Sequence, residues 1–187
     1  MKTKIVRGIA VVGGATVAAS GALVSDAKAQ GFEGYYGGLS YGSNFGEPYQ
    51  SDDYTFEGSS FGAFGGVNIP LNDDWMIGAE LAVNGGAEMA DGGYNPISVS
   101  NMMDARIRLG RTFGDTMVYG AMGVSTGGAT SEYDDGIRLS GTNMGFGVEW
   151  NMYENMFLGG DYTTRNIEGG GIQGTLNNAT VRFGMRF

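Results

Sequence analysis

The chain has 187 residues, 36 of them glycine, with no cysteine and no histidine, and its 11 basic residues against 20 acidic ones give a net charge of −9. The missing imidazole and thiol exclude Ser-His-Asp and Cys-His catalysis, thiol redox chemistry and the usual zinc sites, and the acidic balance argues against nucleic acid, whose phosphates demand a basic face. One domain suits this length, and 42% hydrophobic residues with 12% aromatics is too apolar for a disordered chain.

In chain order, residues 1–29 read as a cleaved signal peptide. Lys2, Lys4 and Arg7 form a basic start, an apolar stretch runs from Ile9 through Leu23, and Ala27-Lys28-Ala29 supplies the small-x-small pattern that places cleavage before Gln30. The rival reading, an N-terminal membrane anchor, is weakened by Gly13, Gly14, Ser20 and Gly21 inside the apolar run. The remaining domain, 30–187, has 158 residues with nineteen acids and seven bases, all arginine, for a net charge of −12. Without lysine, Schiff-base and Ser-Lys chemistry are excluded as well.

From residue 34 onward the chain has a period of two. Strands are predicted at 34–44, 59–69, 75–84, 99–112, 116–126, 139–150, 156–166 and 176–187. Short connectors at 70–74, 113–115 and 151–155 alternate with long ones at about 45–58, 85–98, 127–138 and 167–175. No mature apolar run approaches the ~20 residues of a spanning helix. The alternation predicts an all-β fold: an eight-stranded antiparallel up-and-down transmembrane β-barrel in the bacterial outer membrane, with tight periplasmic turns and longer, acidic outer loops.

One parity of each strand is apolar. On the last strand Ala179, Val181, Phe183, Met185 and Phe187 face lipid, against Thr180, Arg182, Gly184 and Arg186. Trp75, Ile77, Ala79, Leu81 and Val83 oppose Met76, Gly78, Glu80, Ala82 and Asn84 in the same way, and Met103, Ala105, Ile107 and Leu109 oppose Asp104, Arg106 and Arg108. Met144, Phe146, Val148 and Trp150 oppose Glu149, while Leu158, Gly160, Tyr162 and Thr164 oppose Asp161 and Arg165. A soluble lipocalin-like barrel would invert the pattern. Both parities of 117–125 are apolar or small, leaving the fifth strand ambiguous. Tyr35, Trp75, Phe113, Trp150, Tyr153, Phe157 and Phe187 lie near the short-turn ends and are assigned to an aromatic girdle.

The stretch Gly145–Arg165, with Glu149-Trp150 before a short turn and Asp161-Tyr162 after it, and the terminal Val181-Arg-Phe-Gly-Met-Arg-Phe187 resemble the last two hairpins of the OmpA-like and OmpX-like outer-membrane β-barrel family. Tyr35-Tyr36-Gly37-Gly38-Leu39 resembles its first strand. The likeness thus spans the mature chain and is strongest at its C-terminal end. The resemblance implies that the terminal Phe183, Met185 and Phe187 are read by the barrel-assembly machinery during insertion, and it brings no catalytic motif. The loops match nothing in that family.

Glu80, Asp104, Glu149 and Asp161 share the inward parity with Arg106, Arg108, Arg165, Arg182 and Arg186. An eight-stranded lumen is just wide enough for side chains, so these nine are expected to pair and fill it as a charge network, with Glu149 and Arg186 nearer the periplasmic rim. A Glu80–Asp161 pair doing acid/base work is the weaker alternative, because buried charges of mixed sign are usually structural. Gly65-Gly66 and Gly159-Gly160 lack the strand-to-helix junction of a phosphate loop, and Asp52-Asp53 and Asp134-Asp135-Gly136 match no EF-hand loop. No cofactor or metal is implied. The expected role is non-enzymatic: envelope structure or surface interaction, with outer-membrane lipid and an extracellular ligand of unknown identity as partners. The alternative is a narrow porin-like channel for small solutes.

Overall fold

The computed structural model describes residues 31–48, 54–85, 87–91, 97–130, 136–170 and 172–187. The expected leader with its cleavage site at Ala27, Ala29 and Gln30, and Asp52, Asp53, Asp134 and Asp135, lie outside the described residues.

Among the described residues nine strands form one closed sheet: β1 Gly34–Pro48, β2 Tyr54–Pro70, β3 Trp75–Asn84, β4 Ala87–Asp91, β5 Ile97–Phe113, β6 Thr116–Thr130, β7 Ile137–Tyr153, β8 Met156–Gly169 and β9 Ile172–Arg186. β3 and β4 both pair with β2 and β5, so they are two parts of one barrel position and the barrel has eight. Each remaining strand pairs antiparallel with its neighbours in sequence, and β1 pairs with β9 from Tyr36↔Arg186 to Pro48↔Gly174. Closure leaves no open edge, the condition for placing strands in lipid. The predicted eight-stranded barrel is therefore the fold observed.

The strands run further than predicted at the long-connector ends. Most of 45–48, 54–58, 87–91, 127–130 and 167–169 is paired strand rather than loop. The prediction stops each strand where its outward residues turn polar, as at Ser43, Ser59, Thr126 and Ser140. That change is expected where the hydrocarbon ends, whereas the ladder continues because each added pair satisfies backbone groups on two strands.

Above that edge the barrel reverses its polarity. Val99, Met102, Ala129, Leu139, Ile167 and Leu176 form a buried cluster inside the barrel, with Ile137 packed against it. A bulge between Val99 and Met102 on β5 turns Val99 into this cluster, opposite Ala129. The outer end thus packs more like a soluble β-barrel, apolar within and, Phe45 apart, mostly polar without, over a section built the other way round.

One side-chain placement departs from the sequence expectation, and one left open by the sequence is resolved. Phe157 is 0% exposed and lies inside, packed with Tyr36 and Phe64, while the other six girdle aromatics are on the outside. Its strand parity matches Asp161, so proximity to the turn misled the assignment. The ambiguous fifth strand points Met117, Tyr119 and Ala121 inward and Val118, Met122 and Val124 outward. Glycine makes room for the inward rings: a Cβ on Gly147 would run into the paired Tyr119 ring, and one on Gly184 into the paired Phe157 ring.

Candidate functional site: the charged lumen

Because side chains alternate along every strand, one inward residue each from β3, β5, β8 and β9 meets at the same depth. Glu80 of β3 is the centre. Its Oε1 accepts from Arg106, and its Oε2 accepts from Arg182 at 2.5 Å, Arg108 at 2.8 Å and the Tyr36 hydroxyl at 2.9 Å. Asp161 of β8 forms the neighbouring node. It accepts from Arg106 Nη1 at 3.0 Å, from the Tyr119 hydroxyl at 2.7 Å and from Thr163 at 2.7 Å, with Arg182 at 3.4 Å. Arg182 also donates to the Tyr119 oxygen at 2.7 Å, so this tyrosine ties the guanidinium to the carboxylate.

Toward the short turns, Arg108 bridges Glu80 to Glu149, whose Oε1 it reaches at 2.6 Å, and Arg186 donates to Glu149 Oε2 at 2.7 Å. Toward the outer end, Arg165 grips Asp104 with two parallel bonds of 2.9 and 2.6 Å, and Ser125 adds a third at 2.7 Å. The fork geometry is what makes arginine, rather than lysine, suit a desolvated carboxylate. Aromatic faces cover the guanidinium planes: Arg182 sits 3.7 Å from the Phe64 ring centre, Arg108 3.8 Å from Tyr119 and Arg186 4.3 Å from Phe157.

The nine charged residues singled out from sequence are therefore all buried and each lies in an ion pair, seven in one connected chain and Asp104–Arg165 as a separate pair. Five cations against four anions leave one positive charge in excess. A small polar cavity of about 10 Å³, room for about one water, touches both groups, lined by Asn84, Asp104, Arg165, Asn178, Thr180 and Arg182 among others. Three residues of the site escaped the sequence reading. Tyr36 and Tyr119 carry hydroxyls that mediate ion pairs, and Phe64 covers Arg182. Their signal was the inward glycine opposite each ring, Gly66 for Tyr36, Gly38 for Phe64 and Gly147 for Tyr119.

Phe183 and Met185 lie on the exposed face of β9, and Phe187, just past its end, is 73% exposed, its N–H donating to the Tyr35 carbonyl at 2.8 Å. Among the described residues no group of three acidic side chains is arranged to hold a metal ion.

A family model described as outer membrane protein beta-barrel domain matches residues 15–187. A comparison with curated proteins finds no match. Among solved structures, the chain is similar to Neisserial surface protein A (TM-score 0.59, 11% identity, 86% of this chain and 100% of that one). It is similar also to Ail, the attachment invasion locus protein of Yersinia pestis (TM-score 0.54, 12% identity, 83% and 99%), which was also solved with the heparin analogue sucrose octasulfate. OprG from Pseudomonas aeruginosa aligns with a TM-score of 0.50 at 12% identity, over 86% and 99%.

Proposed function

The chain belongs to the outer membrane β-barrel family, and from that premise we propose that it is a closed, non-conducting element of the envelope that holds its outer hairpins rigidly at the cell surface. A leader spanning 1–29 directs export, the mature domain begins at Gln30, and the barrel-assembly machinery reads Phe183, Met185 and Phe187. The observation that carries the reading is Glu80 under three guanidinia, with Asp161, Glu149 and Asp104 paired as well. Such a cluster fills the bore, and moving any member aside strands a buried charge. The apolar cluster at the outer end is a second barrier, since ions do not enter an apolar constriction.

The hairpins beyond the membrane set the kind of surface partner. The four long connectors carry ten acidic residues and one base, Arg138. A polyanion such as the one bound to Ail in its solved complex is therefore a poor candidate, and a cationic or neutral ligand fits better. The second reading is a narrow conduit for small solutes, and the one observation on its side is the small polar cavity beside Asp104 and Arg182, with room for about one water. Planar-bilayer recording separates the two: the wild-type protein is expected to give no unitary current, and a steady conductance would replace the structural reading with the channel.

A further inference from the structure

Residues 31–33 precede β1 and belong to no ladder, yet they carry Phe32 into the short-turn mouth of the barrel, where its side chain is 0% exposed. The ring packs with Met76, Met117, Tyr119 and Ala121, and the Arg186 guanidinium lies 4.7 Å from its centre. Two asparagines from different strands hold the backbone: Asn68 Nδ2 donates to the Phe32 carbonyl at 2.9 Å and Asn151 Nδ2 to the Gly31 carbonyl at 3.0 Å. Gly34, at φ +94°, makes the reversal that leads from this segment into β1, a conformation open to glycine and strained for other residues. Behind the ring lies the last link of the charge chain, Arg186 with Glu149.

This arrangement separates two kinds of stability. The barrel strands are laddered on both sides, whereas the segment is held by one ring and two side-chain bonds. Such a unit opens locally without disturbing the rest. Glycine at 34 supplies the hinge, and the seat the ring leaves is an apolar slot of Met76, Met117, Ala121 and Tyr119 with the Arg186 cation close by.

We propose that Phe32 is a detachable stopper of the periplasmic mouth, exchanging between a seated state that seals Arg186 and Glu149 from water and a released state that admits water and small ions to them. The inference rests on the barrel reading for its orientation. It does not require that the lumen conduct, because the Glu80 cluster and the outer apolar cluster still block the bore when the stopper leaves.

The chain has no cysteine, so Met117→Cys, directly beneath the ring, is a unique reporter. Its modification by a small charged methanethiosulfonate reagent is followed in detergent-refolded barrel, with the faster gel mobility of unboiled sample as the check on closure. Phe32→Gly in that background is expected to speed labelling by about 10- to 100-fold, the weight of one buried aromatic ring, while Phe32→Leu stays near the parent rate. Equal labelling rates with and without the Phe32→Gly change overturn the proposal. Should Phe32→Gly fail to close, hydrogen exchange on the unaltered protein decides: amides 31–33 are expected to exchange far faster than those of β1, and protection equal to the ladder overturns detachability. Bilayer current from the same variants keeps the readings apart. Current from the wild type sinks the closed-lumen function and leaves the labelling result standing.

Discussion

Arg182 reaches Glu80 with one nitrogen and Asp161 and Tyr119 with the other, so its removal leaves two carboxylates short of a cation in a space shielded from solvent. Breaking a buried pair from one side costs ~3 to 5 kcal/mol, and Arg182→Met is expected to destabilise the barrel by that amount in lipid unfolding. Tyr119→Phe removes the hydroxyl that accepts from Arg182 and donates to Asp161, at about 1 to 3 kcal/mol. The double variant should cost less than the two singles combined, because they break a shared set of bonds; strict additivity would dissolve the proposed coupling. A charge swap between Arg182 and Glu80 is expected to rescue little. An arginine at position 80 would face Arg106 and Arg108, since Glu80 serves three guanidinia and not one.

The last strand closes the ring, β9 pairing with β8 along one side and β1 along the other. Its exposed apolar face is available to be read before closure, so replacing Phe187 with Asp is expected to lower the membrane-inserted fraction more than any single hairpin-tip substitution does, as measured by the heat-shifted band. Unchanged insertion of the Phe187→Asp protein would contradict that role. Strand number and facing were legible here because lipid on one side and charge on the other give a clean period of two, as in Phe183 against Arg182. Legibility failed where that contrast faded. Tyr119 sits on a strand whose two faces are both apolar or small, and only its pairing with Gly147 across the ladder fixes the inward face. The outer thirds of the strands were hidden for a related reason: their outward residues are polar like a loop's, and the compensating inward cluster of Leu139, Ile167 and Leu176 takes a single residue from each of three successive strands, too few on any one to show a period.

At the scale of the molecule, the outward surface divides into a band and a collar. The band runs from the exposed short-turn aromatics Trp75, Phe113 and Trp150 up to Phe61, Met103, Val124 and Met144, about five outward residues per strand. At ~3.3 Å per residue and a tilt near 40°, that spans ~25 Å, the height of the hydrocarbon seen by such barrels. β7 has 17 residues and is longer than that span, so its outer third with Ser140 and Arg138 is expected to stand in water. A charge scan by depth tests this placement. Ile107, mid-band on β5 and 61% exposed, should cost about 2 to 4 kcal/mol when changed to Arg, because the guanidinium must enter hydrocarbon. Ser59, exposed just above the band and paired with Ser43, should tolerate Arg within about 1 kcal/mol. The comparison is made by reversible unfolding into lipid vesicles, with both variants checked for the closed-barrel gel shift. Equal costs would mean the bilayer does not end at Ser43, Ser59, Thr126 and Ser140. The hairpins above would then be embedded, and rigid surface display by a water-exposed collar would lose its physical basis.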